Sequence, residues 1–275
     1  MSSINAPKGT QDFLPGDTAR WRAIERIARE TDELYHFGEI RTPIFEHSEL
    51  FHRGVGETTD IVHKETYTFE DRGGRSITLR PEGTAGVVRA VIENGLLNDA
   101  GARLKVYYLG PNFRYERPAA GRYRVHHQFG VEAFGIAEPE QDVECILLQM
   151  DFYRRCGLEK LQLRVNSLGD RESKQRFAEH IRQSLLPKKD SLSEDSQRRL
   201  DENPLRILDS KDLRDRDATQ NLFGLQFLSE ASAAHLDRVQ KLLEQAGVNF
   251  LGCNYLKTSC FCSLASSGLG NSDLR

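Results

Sequence analysis

Between Phe113 and Gly135 the chain reads FRYERPAAGRYRVHHQFGVEAFG, a stretch that constrains the fold more than any other. Alternation before its Pro-Ala-Ala-Gly turn (Val106, Tyr107, Tyr108, Leu109) and after it (Phe129, Val131, Phe134) predicts two antiparallel strands. Arg114, Arg117, Arg122 and Arg124 place four guanidinium groups within eleven residues, on and beside the connecting loop. A guanidinium is planar, stays charged and binds phosphate oxygens bidentately, so this density predicts a polyanion site for a nucleotide or a nucleic-acid backbone. Polar groups and a lone carboxylate follow, which predicts a small-molecule pocket beside it. The alternative is a solvated, charge-rich hairpin.

The charge balance makes that basic patch local. The 275 residues carry a formal net charge of -3, yet residues 102–126 hold six Arg/Lys against one acid, Glu116. A hydrophobic content of 38% is enough for a core. No apolar run approaches a membrane span and the polar start lacks a signal-peptide core, so no membrane partner and a cytoplasmic location are expected. Five irregularly spaced cysteines do not form a disulfide framework, and Cys145 and Cys156 read as packed thiols.

Along the chain, Asp17 is the expected N-cap of an amphipathic helix that stops at Gly38. Ile40 to Phe45 reads as a strand interrupted by Pro43, which belongs at an edge because proline cannot donate a ladder hydrogen bond. Tyr67–Glu70 and Ser76–Arg80 flank a glycine-rich turn and predict a hairpin; after Pro81 comes a helix stopped at Gly95. Gln141–Arg155 reads as a helix and Leu161–Val165 as a strand. Residues 171–247 are charged and helix-prone, broken at Pro187 and Pro204, with LPKKDSLSEDSQRR expected as a solvated face or loop. Strands first and helices after predict an α+β domain around an antiparallel sheet. His126 and His127 are adjacent on a strand, so they point to opposite faces and are expected to be structural rather than metal ligands. No metal site is expected.

The arginine-rich stretch resembles motif 2 of the class II aminoacyl-tRNA synthetases, and GRYRVHHQFGVEAFG is similar to the histidyl enzymes in particular. RTPIFEHSELFHRGVGE (Arg41 to Glu57) resembles motif 1, with its proline at Pro43. LRPEGT (Leu79 to Thr84) resembles a histidine-contacting stretch, NPLRILDSKD (Asn203 to Asp212) a signature of the inserted domain, and KGTQDFLPGD matches near the start. The resemblance covers roughly residues 5–250. It implies a class II-like antiparallel sheet flanked by helices, with a catalytic core over 1–170, a helical insertion over 171–250 and an atypical tail over 251–275. It implies a histidine-tRNA ligase, with histidine, ATP and the tRNA acceptor end as partners, Mg²⁺ with the ATP, and a homodimer formed through Ile40 to Gly56.

For the site, the resemblance implies that Arg114 is catalytic, contacting the α-phosphate of ATP and the amino-acid carboxylate. Arg122 holds ATP and Glu116 sits near the adenine. Glu82, Gly83, Thr84, Arg114, Gln128 and Glu132 contact histidine, with Glu82, Thr84 and Gln128 at the ammonium and Glu132 at the imidazole. Arg117 and Arg124 meet tRNA. From residues alone, Glu132 also reads as a strand-exposed carboxylate.

After about Phe250 the resemblance stops: the chain reads FLGCNYLKTSCFCSLASSGLGNSDLR where the family carries Arg-Gly-Leu-Asp-Tyr-Tyr and then motif 3. This departure implies low activity. Cys253, Cys260 and Cys262 fit no standard zinc spacing. Two other functions remain open: a histidine-binding regulatory paralogue of the synthetase, and a dimerising interaction protein without catalysis.

Overall fold

The computed structural model describes residues 4–55, 65–116 and 122–252, with side chains described to residue 52 in the first of these. Arg117, Gly56 and the stretch holding Cys253, Cys260 and Cys262 lie outside the described residues. The chain divides into two compact units, one of residues up to Ile136 with Leu148–Leu158, the other of Ala137–Leu147 with the described residues from Glu159 on.

In the first unit, helix α1 (Pro15–Leu34) begins at Pro15, whose fixed φ suits the first helical position. The expected N-cap Asp17 instead lies in the first turn, and Leu14 takes the cap position without a side-chain bond. The helix ends four residues before Gly38, because His36 adopts the left-handed conformation (φ 58°) in its place. Its N–H donates to Glu33 and that of Phe37 to Asp32 at 3.0 Å, a Schellman closure built without glycine. Gly38 opens a strand.

The strand expected over Ile40 to Phe45 is two short ones, β1 (Gly38–Glu39) and β2 (Phe45–His47), with Pro43 in the connection where no ladder donor is needed. β3 (Tyr67–Glu70) and β4 (Ser76–Leu79) form the expected hairpin. Its turn is held by Asp71, which accepts from the Gly73 and Arg75 N–H groups, and by Gly74 at φ 74°. Helix α2 (Ser48–Val55) follows β2, and α3 (Thr84–Glu93) is closed by Asn94 at its C-cap and Gly95 beyond it, φ 63°. The long strands β5 (Leu104–Phe113) and β6 (Val125–Phe134) pair antiparallel in the expected register around the arginine loop.

Among the described residues two three-stranded sheets result, β1-β5-β6 and β2-β4-β3, in which β1 and β2, the strands on either side of Pro43, both lie at edges. Arg80 stitches the sheets together: its N–H donates to Ile44 O (2.9 Å) and its carbonyl accepts from Phe113 N (2.9 Å). Its buried guanidinium donates to Pro111 O and Thr42 O, and burial lowers its pKa. Val87 and Val91 of α3 pack on Val106 and Tyr108 of β5, with Ile40, Leu97, Leu104 and Phe134 around them.

In the second unit, α4 (Pro139–Arg155) supplies its first turns; α5 (Arg171–Leu185), α6 (Glu194–Glu202), α7 (Leu213–Thr219) and α8 (Glu230–Gln245) follow. Strands β7 (Leu163–Val165) and β8 (Phe250–Gly252) pair parallel. LPKKDSLSEDSQRR is not a loop: it forms a 3-10 turn, buries Leu192, and enters α6 under a Ser193 cap. Pro187 and Pro204 each stand at the start of a 3-10 turn. Leu192 joins Phe177, Ile181, Leu185, Leu200, Ile207 and Leu208 in a core that answers the apolar positions of an otherwise charged segment.

Candidate functional site

One face of the β5–β6 ribbon carries the candidate site residues. A strand alternates its side chains, so Tyr108, Gly110 and Asn112 share a face with their register partners Gly130, Gln128 and His126, and with Glu132 opposite Val106. His127 is on the other face, its ring 4.6 Å from Trp21 and 5.7 Å from Phe13. Its structural role is thus visible, whereas His126 lies on the site's face. Burial, and after it Arg114, lowers the His126 pKa.

Tyr108 is the centre of this face. A Cβ at Gly83 would fall 2.2 Å from its ring, and one at Gly130 would fall 2.4 Å from its Cζ and hydroxyl, so only glycine fits at either position. Gly83 therefore acts by making room for the ring. Burial pushes the Tyr108 phenol up to about 12, the Thr84 hydroxyl opposing that rise. The sequence reading placed Tyr108 on the strand but missed this role, as it missed Asn112. The two glycines lie 47 positions apart in the chain, and only the register brings them to one ring.

Thr84 opens α3 and donates from Oγ1 to Glu132 Oε1 at 2.6 Å. Glu132 is half-buried rather than strand-exposed; burial raises its pKa, the Thr84 hydroxyl opposes that rise, and the Glu82 charge adds to it. Glu82 caps α3, its two oxygens accepting from the Thr84 N–H (2.6 Å) and the Ala85 N–H (2.9 Å). Gln128 Oε1 accepts from Asn112 Nδ2 at 2.6 Å, and Gln128 Nε2 donates to the Tyr108 hydroxyl at 3.4 Å.

The arginines stand at the loop end of the ribbon. Arg114 N donates to Arg124 O, prolonging the ladder, and Arg114 Nε donates to Pro81 O at 2.8 Å, next to Glu82. Its terminal nitrogens have no partner among the described residues. Arg122 pairs with Glu116 at 2.9 Å, and the Arg124 guanidinium lies 4.1 Å over the Tyr115 ring. A fork of positive charge thus stands beside a face that holds both donors and carboxylate acceptors. That combination suits an amino acid and a phosphate together.

Comparison with known proteins decides the family. The family described as histidyl-tRNA synthetase matches residues 9–171. The histidine–tRNA ligase of Anoxybacillus flavithermus is 52% identical over 249 residues, covering 90% of this chain and 59% of that protein. The chain belongs to the histidyl-tRNA synthetase family. That of Bacillus subtilis is 50% identical over 247 residues, covering 90% and 58%. Apo histidyl-tRNA synthetase of S. aureus superposes with a TM-score of 0.70 at 38% identity, over 92% of this chain and 57% of that one. The expected class II α+β fold is therefore the histidyl-tRNA synthetase fold. A Bacillus halodurans protein described as an ATP phosphoribosyltransferase regulatory subunit/histidyl-tRNA synthetase shares the fold, at TM-score 0.61 and 20% identity over 90% and 66%. The chain spans about 59% of the length of the curated histidyl-tRNA synthetases it matches. Among its described residues no helix is long and apolar enough to cross a membrane.

Proposed function

We propose that this chain carries the histidine and ATP sites of a histidine-tRNA ligase. The observation that supports this reading is the convergence of Thr84, Gln128 and Glu132 on one hydrogen-bonded face, with Arg114 anchored to Pro81 beside it. In the proposed reaction a carboxylate oxygen of histidine attacks the α-phosphorus of ATP. The bond to the β-phosphate bridging oxygen breaks, pyrophosphate leaves and histidyl-adenylate forms; a ribose hydroxyl of tRNA then takes the histidyl group and AMP leaves. No covalent enzyme intermediate is needed, so catalysis is positioning and charge neutralisation.

In this reading Arg114 spans the α-phosphate and the amino-acid carboxylate, neutralising the charge that builds between them. Arg122 holds ATP with Glu116 near the adenine, and Glu82, Gly83, Thr84, Gln128 and Glu132 line the histidine pocket. Mg²⁺ arrives with the triphosphate, keeping several of its waters; among the described residues no cluster of three His, Cys, Asp or Glu is arranged to hold a metal. ATP-facing arginines favour a ligase over a binding paralogue. ATP affinity measured with Arg114→Lys tests the role: a lysine keeps the charge and loses the fork, so a drop of about tenfold is expected, and unchanged affinity would contradict it.

Arg117 and Arg124 are proposed to meet the tRNA acceptor end. Neutralising Arg124 should flatten the salt dependence of tRNA binding by about one counterion, and an unchanged slope would remove the assignment. A homodimer through Ile40 to Gly56 is proposed on the exposed Ile44 and Phe45 at an edge strand; a monomer in sedimentation at micromolar concentration would contradict it. We place the chain in the cytoplasm, and read 171–250 as the helical insertion into a core over 1–170.

A further inference from the structure

Arg80 grips the strand that leads to Arg114 at two points, and the residue after it grips Arg114 itself. Arg80 Nε donates to Pro111 O at 3.0 Å, its carbonyl accepts from Phe113 N at 2.9 Å, and Pro81 O accepts from Arg114 Nε at 2.8 Å. Arg80 also holds the chain around Pro43: Nη1 donates to Thr42 O at 3.2 Å and the backbone N–H to Ile44 O at 2.9 Å. Pro81 stiffens this clamp, because a proline fixes its own φ and keeps the residue before it extended. The guanidinium lies on the face of the candidate site, since a Cβ at Gly110, the register partner of Gln128, would fall 2.5 Å from Nη2. Arg80 is only 7% exposed, and among the described residues its guanidinium bonds Pro111 and Thr42 but no carboxylate. Burying a charge costs stability, and an apolar side chain of similar volume would fill such a place at less cost. An apolar side chain cannot fix several carbonyls at once, which a planar fork of donors does.

We infer that Arg80 is a positioning residue for Arg114: it sets the end of β5 and the Pro81 carbonyl, and through them the direction in which the Arg114 guanidinium points. The inference rests on the ATP contact proposed above for Arg114. With Nε committed to Pro81 O, the terminal nitrogens of Arg114 are the fork left to meet an anion. Moving Pro81 O or Phe113 moves that fork, and a bidentate pair with phosphate tolerates little displacement. Gly110 belongs to the same device, because the lack of a side chain there leaves the Arg80 guanidinium its place.

A double-mutant cycle on ATP affinity separates positioning from support of the fold. Magnesium-ATP is titrated calorimetrically into the 275-residue chain, Arg80→Lys, Arg114→Lys and the double variant. Arg80→Lys keeps the charge without the planar fork, and Arg114→Lys removes the Nε–H that reaches Pro81 O. Arg80→Lys should weaken ATP binding about fivefold in the parent and have no further effect in the Arg114→Lys background. Gly110→Ala, which keeps Arg80 and pushes its flexible end aside, should repeat that pattern even if Arg80→Lys does not fold. Equal losses in both backgrounds, or no loss in the parent, would show Arg80 to be structural only and overturn the inference, leaving the ATP reading intact. A parent chain that binds no ATP, or an Arg114→Lys variant that binds it as the parent does, would overturn both.

Discussion

Thr84 Oγ1 donates a 2.6 Å hydrogen bond to Glu132 Oε1, joining the first turn of α3 to the far part of β6. The bond favours the ionised carboxylate against the burial that disfavours it. Histidine recognition in the proposed pocket needs that ionised acceptor. Affinity should therefore fall as pH drops through the Glu132 pKa, which lies above the ordinary glutamate value. Removing the hydroxyl in Thr84→Val should raise the pKa further and move the midpoint of histidine binding to higher pH. Histidine affinity measured from pH 4 to 8 checks this, and superimposable midpoints would exclude the coupling.

The two glycines against Tyr108 give a steric prediction. Gly83→Ala or Gly130→Ala must displace the ring, since the added carbon would lie 2.2 or 2.4 Å from it. Overpacking of this kind costs about 1–3 kcal/mol. Chemical denaturation should show that loss in either variant, accompanied by weaker histidine binding because the ring's hydroxyl accepts from Gln128 of the proposed pocket. Stability equal to the parent in both would mean that the ring is not held there.

Asp32, near the C-terminal end of α1, is fully buried, and neither carboxylate oxygen has a partner among the described residues. Burial first, and then Glu39, pushes its pKa from 3.8 up to about 8. The folded chain thus holds a proton that the unfolded chain releases between those values, so its stability falls as pH rises from about 4 to about 8. Asp32→Asn removes the linkage. It should raise thermal stability at neutral pH, by on the order of 3 kcal/mol, and the gain should vanish below pH 4. A gain independent of pH would refute the account.

Asp215 organises the second unit. Fully buried, it accepts from Ser193 N (2.9 Å), Ser193 Oγ (2.7 Å), Ser196 Oγ (2.7 Å) and Ser210 Oγ (2.6 Å). Burial pushes its pKa up, yet the Ser210 and Ser193 donors outweigh it and the net shift is downward. The stability it contributes is present above the ordinary aspartate pKa and is lost as pH falls through the lower folded value. Asp215→Ala leaves three hydroxyls without their acceptor, that of the buried Ser196 and those of the half-buried Ser193 and Ser210, and should destabilise the chain by about 3 kcal/mol in denaturant titration. A loss below about 0.5 kcal/mol, the scale of a surface change, would show that the hydroxyls find other partners.

Much of this was legible in the chain because strong local signals agreed. Alternation on both sides of the arginine loop predicted β5 and β6, and a glycine-rich turn predicted the β3–β4 hairpin. Local signals failed where tertiary context overrode a propensity. A left-handed His36 ended α1 before the glycine that looked like its stop, and Leu192 drew a charged segment into the core. Of the site, the residue types were readable, but the connections of Tyr108 and Asn112 were not. Both depend on the pairing register, which puts Gly130 opposite Tyr108 and Gly110 opposite Gln128. Arg80 was legible only as the end of a predicted strand, although its backbone and side chain stitch two sheets together.

The central claim is that this face selects histidine. Its most direct test is calorimetric titration of the chain with histidine and with a panel of other amino acids, repeated on Glu132→Gln. A buried polar site rejects ligands that leave its groups unpaired. The account predicts saturable binding of histidine alone, weakened about tenfold or more when Glu132 loses its charge; equal binding of other amino acids, or histidine affinity unchanged in Glu132→Gln, would contradict it.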